Sequence, residues 1–478
     1  MEKIIFNGLH TEIGLNLLND IDENFNINKI ETIVSNPNLI KGVKNRLKEK
    51  LNIYDYHDTK YAKYKNCESL IDKELIDNFA PYLLIALKMM DRLSSELAYG
   101  YEDRMQMLFK HIRFWNHIII DNKIDTFIAL NYPHEIYDYV IYALCKIRKI
   151  KIYVYSQTAL NGYVQIFSDI EENDLNLIIN KDEKTYIGQL PDLIKEQITN
   201  LSSKNIKPPF YMSKIMEMEK NKIKQDKISR AKDIYKKIIK EKNILSKIIN
   251  ILYYRNKFGI KIEKQLQAEY DALSENPLEN EKYVYVPLHF QPECTTSPQG
   301  GIYVYQELMI EMISKYIPDD AKIYIKEHPF QHINGRRLGY YKDLLNISKT
   351  KLIAKQNDSS KLIENSIAVA TITGTAGWEA LFKLKPVILF GDVFYKYSPG
   401  VSQIRTECEC KKAIEKIFSS TFNEQNLKEL ENYLLKILPH LTRGWVDLDY
   451  KEVSKINDYD NRINLINALV KRIKIENN

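Results

Sequence analysis

Short apolar runs alternate with longer stretches of helical spacing along most of this chain. KIIF at residues 3–6, DTFIAL at 125–130 and KIYVYS at 151–156 read as strands. YDYVIYALCKIRKI lies between the last two and reads as a helix, so the segment has the strand–loop–helix–strand form of a βαβ unit. Residues 82–120 read as mostly helical. The pattern restarts after SENPLENEK at 274–282, a plausible linker. KYVYVPL at 282–288 is a strand, HFQPECTTSPQGG at 289–301 a polar loop, and IYVYQELMIEMISKYI a helix ended by Pro318. AKIYIKEHP at 321–329 is strand then loop, SKLIENSIAVATITG holds a helix and a strand, TAGWEALFKLK is a helix and PVILFG at 386–391 a strand. Helical stretches around 423–438 and 458–474 close the chain. Strands alternating with helices argue for an α/β protein with doubly wound parallel sheets.

Length and composition narrow the class. At 478 residues two or three domains are expected. Apolar residues at 44% and charged residues at 28% fit a globular protein and exclude disorder, collagen or coiled coil as the main class. Sixteen Gly and 15 Pro leave little material for long flexible linkers. The 33 Tyr accompany abundant Lys, Ile and Asn, which suits a biased genome as well as a function. The formal charge of 69 − 63 = +6 is too mild to call for nucleic acid. Five Cys (67, 145, 294, 408, 410) cannot all pair, and the isolated Cys408-x-Cys410 lacks a second pair of zinc ligands, so a reducing cytoplasm is expected. No signal peptide is evident, and no apolar run reaches the roughly 18 residues of a membrane span. Residues 213–242 carry 11 Lys and Arg against 5 Asp and Glu, with Ile228, Ala231, Tyr235 and Ile238 on one helical face. A solvated surface helix is the plain reading; a basic face on anionic lipid is the sharper one.

Three segments carry candidate chemistry. In Thr371-Ile-Thr-Gly-Thr-Ala-Gly-Trp-Glu-Ala-Leu381 a strand stops at a small-residue turn and a helix starts at once. The first helix amides have no internal partner, and with the helix dipole they favour a phosphate. Thr373 and Thr375 add hydroxyls, and Glu379 is placed to accept from a ribose diol. An ordinary strand–helix corner with a Thr cap would look similar. Lys326-Glu-His-Pro329 ends another strand, where His328 can donate to a phosphate and Lys326 can supply charge. Arg336 and Arg337 follow, as candidates for bidentate anion binding. The loop 289–301 concentrates Gln291, Glu293, Thr295 and Ser297, suited to a sugar or a base, though its Pro and Gly residues also suit a plain connection. All three loops lie at one predicted sheet edge, a cleft fit for a nucleotide-activated substrate.

These residues resemble a known family. KEHP…NGRRLGYY and ATITGTAGWEALFKLKPVILFGDVFY, with YVPLHFQPECTTSPQGG upstream, are similar to the capsule polysaccharide biosynthesis family that includes bacterial Kdo transferases. The resemblance spans residues 280–405, with a weak echo at YPHEIYDYVIYALCK. It implies a GT-B-like glycosyltransferase: two Rossmann-like domains facing a cleft, with extra helices and the nucleotide on the C-terminal domain. It implies an N-terminal acceptor-side domain at 1–275, a nucleotide-sugar domain at 276–420 and terminal helices at 421–478 packing back on the first. His328-Pro329 would lie near the donor phosphate, and Thr373, Gly374, Thr375, Ala376 and Gly377 would form the phosphate turn above Glu379. Relatives of the transferase type use a CMP-activated sugar acid. This chain differs in its Thr-Gly-Thr-Ala-Gly turn, where a Ser-Gln-rich one is expected. It differs also in Phe394-Tyr-Lys-Tyr-Ser-Pro-Gly400, where a Gly-Trp-Gly-type loop is expected and Tyr395 is a further candidate contact.

On the acceptor side, Gly8-Leu-His10-Thr-Glu12 and Pro133-His134-Glu135 follow N-terminal strands. His10, Glu12 and His134 are candidate bases, with Glu293 from the facing loop, although capping by Thr11 and a structural His are the plain readings. No DxD-type motif appears, so a metal and a tightly bound cofactor are not expected. The expected partners are a nucleotide sugar and a glycan or glycolipid acceptor. Nucleic acid is not expected, and a peripheral contact at the inner face of the plasma membrane is one option. A sugar-nucleotide epimerase, a CDP-alditol phosphotransferase and a non-catalytic assembly module stay open as alternatives.

Overall fold

A computed structural model of the chain describes residues 1–55, 69–93, 100–170, 188–203, 260–331, 335–420 and 422–477. Cys67 and the basic segment 213–242 lie outside the described residues.

The first sheet holds β1 (Lys3–Asn7), β2 (Lys29–Val34), β3 (Leu51–Asp55), β4 (Thr126–Ala129), β5 (Lys151–Gln157) and β6 (Tyr163–Phe167). The second holds β7 (Lys282–Pro287), β8 (Ala321–Lys326), β9 (Thr350–Leu352), β10 (Ala368–Thr371), β11 (Val387–Leu389) and β12 (Val401–Gln403). A last strand, β13 (Thr442–Arg443), pairs antiparallel with β6 and so joins the first sheet. The orders are β13-β6-β5-β4-β1-β2-β3 and β12-β11-β10-β7-β8-β9. Each sheet therefore has the doubly wound order in which the first strand sits between the second and the fourth. Pairing is parallel throughout the second sheet and from β3 to β5 in the first. Two Rossmann-like sheets in tandem, with the chain end returning to the first, make a GT-B-like α/β fold.

The sequence dictates this locally. Ile4, Ile5 and Phe6 are buried, as are Val284, Tyr285 and Val286, and continuous apolar runs suit strands covered on both faces. The Ile136–Ile147 helix is buried almost all round because it crosses from β4 to β5 under other helices. The return of the chain end is fixed by Arg462, whose Nε donates to Asp20 Oδ2 at 2.7 Å, and by Tyr155, whose hydroxyl donates to the Leu465 carbonyl at 2.9 Å. Trp445, Leu465 and Leu469 share a core with Ile4, Phe6 and Leu17.

Residues 82–120 are mostly helical, as expected: one helix runs Lys73–Met89 and passes into a 3-10 turn at Met90–Leu93, and a second runs Tyr101–Asp121. One helical expectation needs adjustment. The helix expected from Ile302 starts at Gln306, after a separate 3-10 turn at Gly301–Val304. Among the described residues no helix is long and apolar enough to cross a membrane, and no group of His, Cys, Asp and Glu is arranged to hold a metal ion. Cys145, Cys294, Cys408 and Cys410 are free thiols.

Candidate functional site

In a doubly wound sheet the strand order reverses beside the first strand, and ligands collect beyond the strand ends there. The two reversal points are β1/β4 and β7/β10. They face one another: Arg92 donates to the carbonyl of His134 and, at 3.1 Å, to the carbonyl of Ser297.

At the C-terminal reversal point β10 ends at Thr371 and the Thr375–Phe382 helix begins after a three-residue turn. His289, the first residue of the 289–301 loop, holds that turn from below. Its Nε2 accepts from the Thr373 amide at 3.1 Å and lies 3.3 Å from Thr371 Oγ1, while a hydrogen bond to the Pro287 carbonyl occupies the other ring nitrogen. Burial and neighbouring His328 and Arg336 push its pKa down to about 3, so the ring is neutral. Thr371 Oγ1 accepts from the Gly374 amide at 3.1 Å, and Tyr395 donates to the Gly374 carbonyl at 2.6 Å. Gly377 is required, because a Cβ there would meet Tyr395 Oη at 2.6 Å. The amides of Thr375 and Ala376, both half-buried, take no acceptor among the described residues. Glu379 lies in the same helix, its pKa raised to about 7 by burial against the opposing pull of Lys383 and the Thr375 hydroxyl.

His328 stands at the end of the next strand. Its Nδ1 accepts from the Phe330 amide at 3.2 Å, so the neutral ring carries its proton on Nε2 and can donate there. Burial holds its pKa down to about 4 despite neighbouring Glu327.

Several expected contacts are instead part of the frame. The Arg336 guanidinium is buried, donating from Nε to Glu327 Oε2 at 2.8 Å, from Nη2 to the His289 carbonyl at 2.9 Å, and to Gln291 Oε1. Gln291 is buried too, with Nε2 2.5 Å from the Val304 carbonyl. Arg337 pairs with Asp343 at the surface. Lys326 donates to the Asn357 carbonyl at 2.5 Å and to Ser359 Oγ at 2.8 Å. Thr373 Oγ1 is committed to the Thr295 carbonyl at 2.7 Å. Ser297 is buried and offers its carbonyl to Arg92, and Tyr395 is buried behind the turn. For Gln291, Lys326 and Thr373 the claimant is a backbone carbonyl that needs a donor. Thr295 donates to Glu293, which stays exposed; burial lowers the His134 pKa against the smaller upward pull of Glu135 and Glu293.

The N-terminal reversal point gathers Asn7 from the end of β1, His10 from the next turn, Ser35 beyond β2, and Tyr137 and Asp138 from the first turn of the Ile136–Ile147 helix. His10 Nδ1 lies 3.0 Å from Ser35 Oγ and its Nε2 3.0 Å from Asn7 Oδ1. Asn7 Nδ2 donates to Asp138 Oδ2 at 3.1 Å. His134 donates from Nδ1 to the Tyr132 carbonyl at 2.6 Å, which leaves its lone pair on Nε2, 4.0 Å from Glu135 Oε1. Glu12 is exposed on the first helical turn and does not join the His10 group. His289, Glu327, Asn7, Ser35, Asp138 and Arg92 were not singled out by sequence. For His289, Glu327, Asn7 and Ser35 the one visible signal was a polar residue within two positions of the end of a strand; Arg92, in a 3-10 turn, and Asp138, in a first helical turn, carried none.

Two Rossmann-like sheets, each with a polar cluster at its reversal point, define an α/β protein of GT-B-like fold. A family model described as capsule polysaccharide biosynthesis protein matches residues 189–428, just over half of the sequence, and the chain belongs to that family. Among curated proteins, no sequence matches. Solved structures with some likeness include UDP-GlcNAc 2-epimerase from Methanocaldococcus jannaschii, at 12% identity over 92% of this chain and 100% of that one, TM-score 0.27. Two others come from Thermosulfurimonas dismutans KpsC. The beta Kdo 2,4 transferase is 11% identical over 72% of this chain and 87% of that one, TM-score 0.34. The beta Kdo 2,7 transferase is 19% identical over 45% and 65%, TM-score 0.25.

Proposed function

We propose that the protein is a glycosyltransferase that moves a sugar from a nucleotide-activated donor to a glycan or glycolipid acceptor in surface polysaccharide synthesis. The observation that carries this reading is the pair of amides at Thr375 and Ala376 that take no acceptor among the described residues, at the same sheet edge as the Nε2 donor of His328. A donor phosphate meets the amides and the helix dipole, and His328 donates to the oxygen that leaves with it. Glu379 accepts from the ribose diol. The acceptor lies across the cleft at the β1/β4 end, where His10 or His134 takes its proton. These groups neutralise the leaving phosphate, and the reading includes no metal. CMP-activated sugar acids head the candidate donors because of the family.

The test is turnover with a panel of CMP-, UDP- and GDP-sugars, with products identified by mass. Transfer or slow donor hydrolysis with one nucleotide class, reduced about 10²-fold or more in kcat by His328→Ala, supports the reading. Inversion of the sugar without acceptor points to an epimerase, and a phosphodiester product to a phosphotransferase; either sinks it.

A further inference from the structure

Four residues at the N-terminal reversal point form one hydrogen-bond chain: Asp138, Asn7, His10 and Ser35. With Asn7 donating to Asp138, whose pKa burial raises well above the ordinary carboxylate range, the order of partners sets the His10 tautomer. Asp138 Oδ1 already accepts from the Glu135 amide at 2.9 Å, and Oδ2 accepts from Asn7 Nδ2 at 3.1 Å. The Asn7 oxygen therefore points away from Asp138, towards His10 Nε2 at 3.0 Å and the Tyr137 hydroxyl at 3.3 Å. An amide oxygen only accepts, so His10 carries its proton on Nε2 and its lone pair on Nδ1. The Ser35 hydroxyl, 3.0 Å away, is then the donor to Nδ1. Asp138 and Asn7 are buried, while His10 and Ser35 are half-exposed. The chain runs from the core towards the surface and ends on a hydroxyl.

We propose that this chain activates the acceptor: Ser35 receives the acceptor hydroxyl and relays its proton to His10 Nδ1, with Asn7 and Asp138 as positioning residues. The inference rests on the glycosyl-transfer reading above. In the step, the acceptor oxygen bonds to the anomeric carbon of the donor. Its proton passes to Ser35 Oγ as the Ser35 proton passes to His10 Nδ1. The bond from the anomeric carbon to the phosphate oxygen breaks, and its electron pair leaves on the nucleotide phosphate.

Burial and neighbouring His134 hold the His10 pKa down to about 4, so the lone pair is present at neutral pH. The titratable groups around it are His134, Tyr137 and Asp138 from the segment after β4, and Glu12 on its own turn. Glu293 of the facing loop acts on His134.

Exchanging the two core groups, Asn7→Asp with Asp138→Asn, keeps the same hydrogen bonds but puts a carboxylate against His10 Nε2. The His10 pKa, read by 15N NMR of histidine-labelled protein, should rise by at least about one unit. The acid limb of kcat for the donor found in the panel should rise with it, with donor KM unchanged. Ser35→Ala should lower kcat about 10²-fold, and Ser35→Thr should recover most of it. A His10 titration that moves while the acid limb stays still overturns the relay, and so does full activity in Ser35→Ala. Lack of turnover with every donor, with His10 titrating as described, overturns the transfer reading and leaves the hydrogen-bond chain standing. Should the exchanged protein not fold, the Ser35 pair alone decides.

Discussion

The main-chain amide of Thr373 donates to His289 Nε2 at 3.1 Å, so a neutral imidazole at the end of β7 fixes the turn beyond β10. The bond joins two strands that are neighbours in the sheet but more than eighty positions apart in sequence. It orients the turn so that the next amides, Thr375 and Ala376, open outward.

Removing that imidazole should loosen the turn. His289→Ala leaves the Thr373 amide buried without an acceptor, at a cost of about 1–3 kcal/mol in unfolding free energy. Under the proposed function nucleotide affinity should fall at least about tenfold, since the turn that presents the Thr375 and Ala376 amides loses its support. Urea unfolding and calorimetric titration with the donor nucleotide check both. Unchanged affinity would separate the turn from binding.

The buried Glu327–Arg336 pair makes a different prediction. Both side chains are almost wholly inaccessible, and Tyr341 also donates to Glu327 Oε2, at 2.8 Å. Arg336→Ala strands a carboxylate and should cost about 3–5 kcal/mol, whereas truncation of the exposed Arg337 should stay near the 0–1 kcal/mol of a surface pair. Chemical denaturation of the two variants compares them. Equal, small losses would contradict a framing role for Arg336.

Glu379 gives stability a pH dependence. Its folded pKa near 7 lies above the ordinary carboxyl value of 4.5, because burial penalises the charge. The folded state then binds more protons than the unfolded chain between these values. The contribution is full below about 4.5, is lost as the pH rises towards 7, and is level above it. Glu379→Gln should remove this slope and stabilise the protein at pH 8 by about 1–3 kcal/mol. In the wild type, nucleotide affinity should rise as the pH passes through 7, because the ionised carboxylate accepts better from a diol. Parallel melting and binding curves of the two proteins test both signs.

Much of the fold was legible because β1, β4, β5, β7, β8, β10 and β11 are short apolar runs buried on both faces. β2 was not, because KIETIV carries a charged Glu31 inside the sheet. That carboxylate is satisfied by the Tyr54 hydroxyl at 2.6 Å and Asn52 Nδ2 at 2.9 Å, both from β3, a pairing that no local pattern announces. β9 (TKL) and β12 (VSQ) are three residues each and, unlike the equally short but fully apolar and buried β11, carry polar residues and only partial burial, so no apolar run marks them. The small-residue turn after β10 was readable from strand–turn–helix spacing, and His328 from its place just past a strand. Arg336 was misplaced for a physical reason: sequence shows an Arg near a strand end, but not that Glu327 turns inward to meet it. The Asn7–Asp138 contact spans 131 positions and exists only once β1 and β4 are paired.

The most direct test of the central claim is a crystal structure of the protein soaked in turn with CMP, UDP and GDP. The account predicts nucleotide phosphate oxygens within about 3 Å of the Thr375 and Ala376 amides, His328 Nε2 donating to them, and a ribose diol on Glu379. Nucleotide bound at the β1/β4 end instead, with nothing against those two amides, would contradict it.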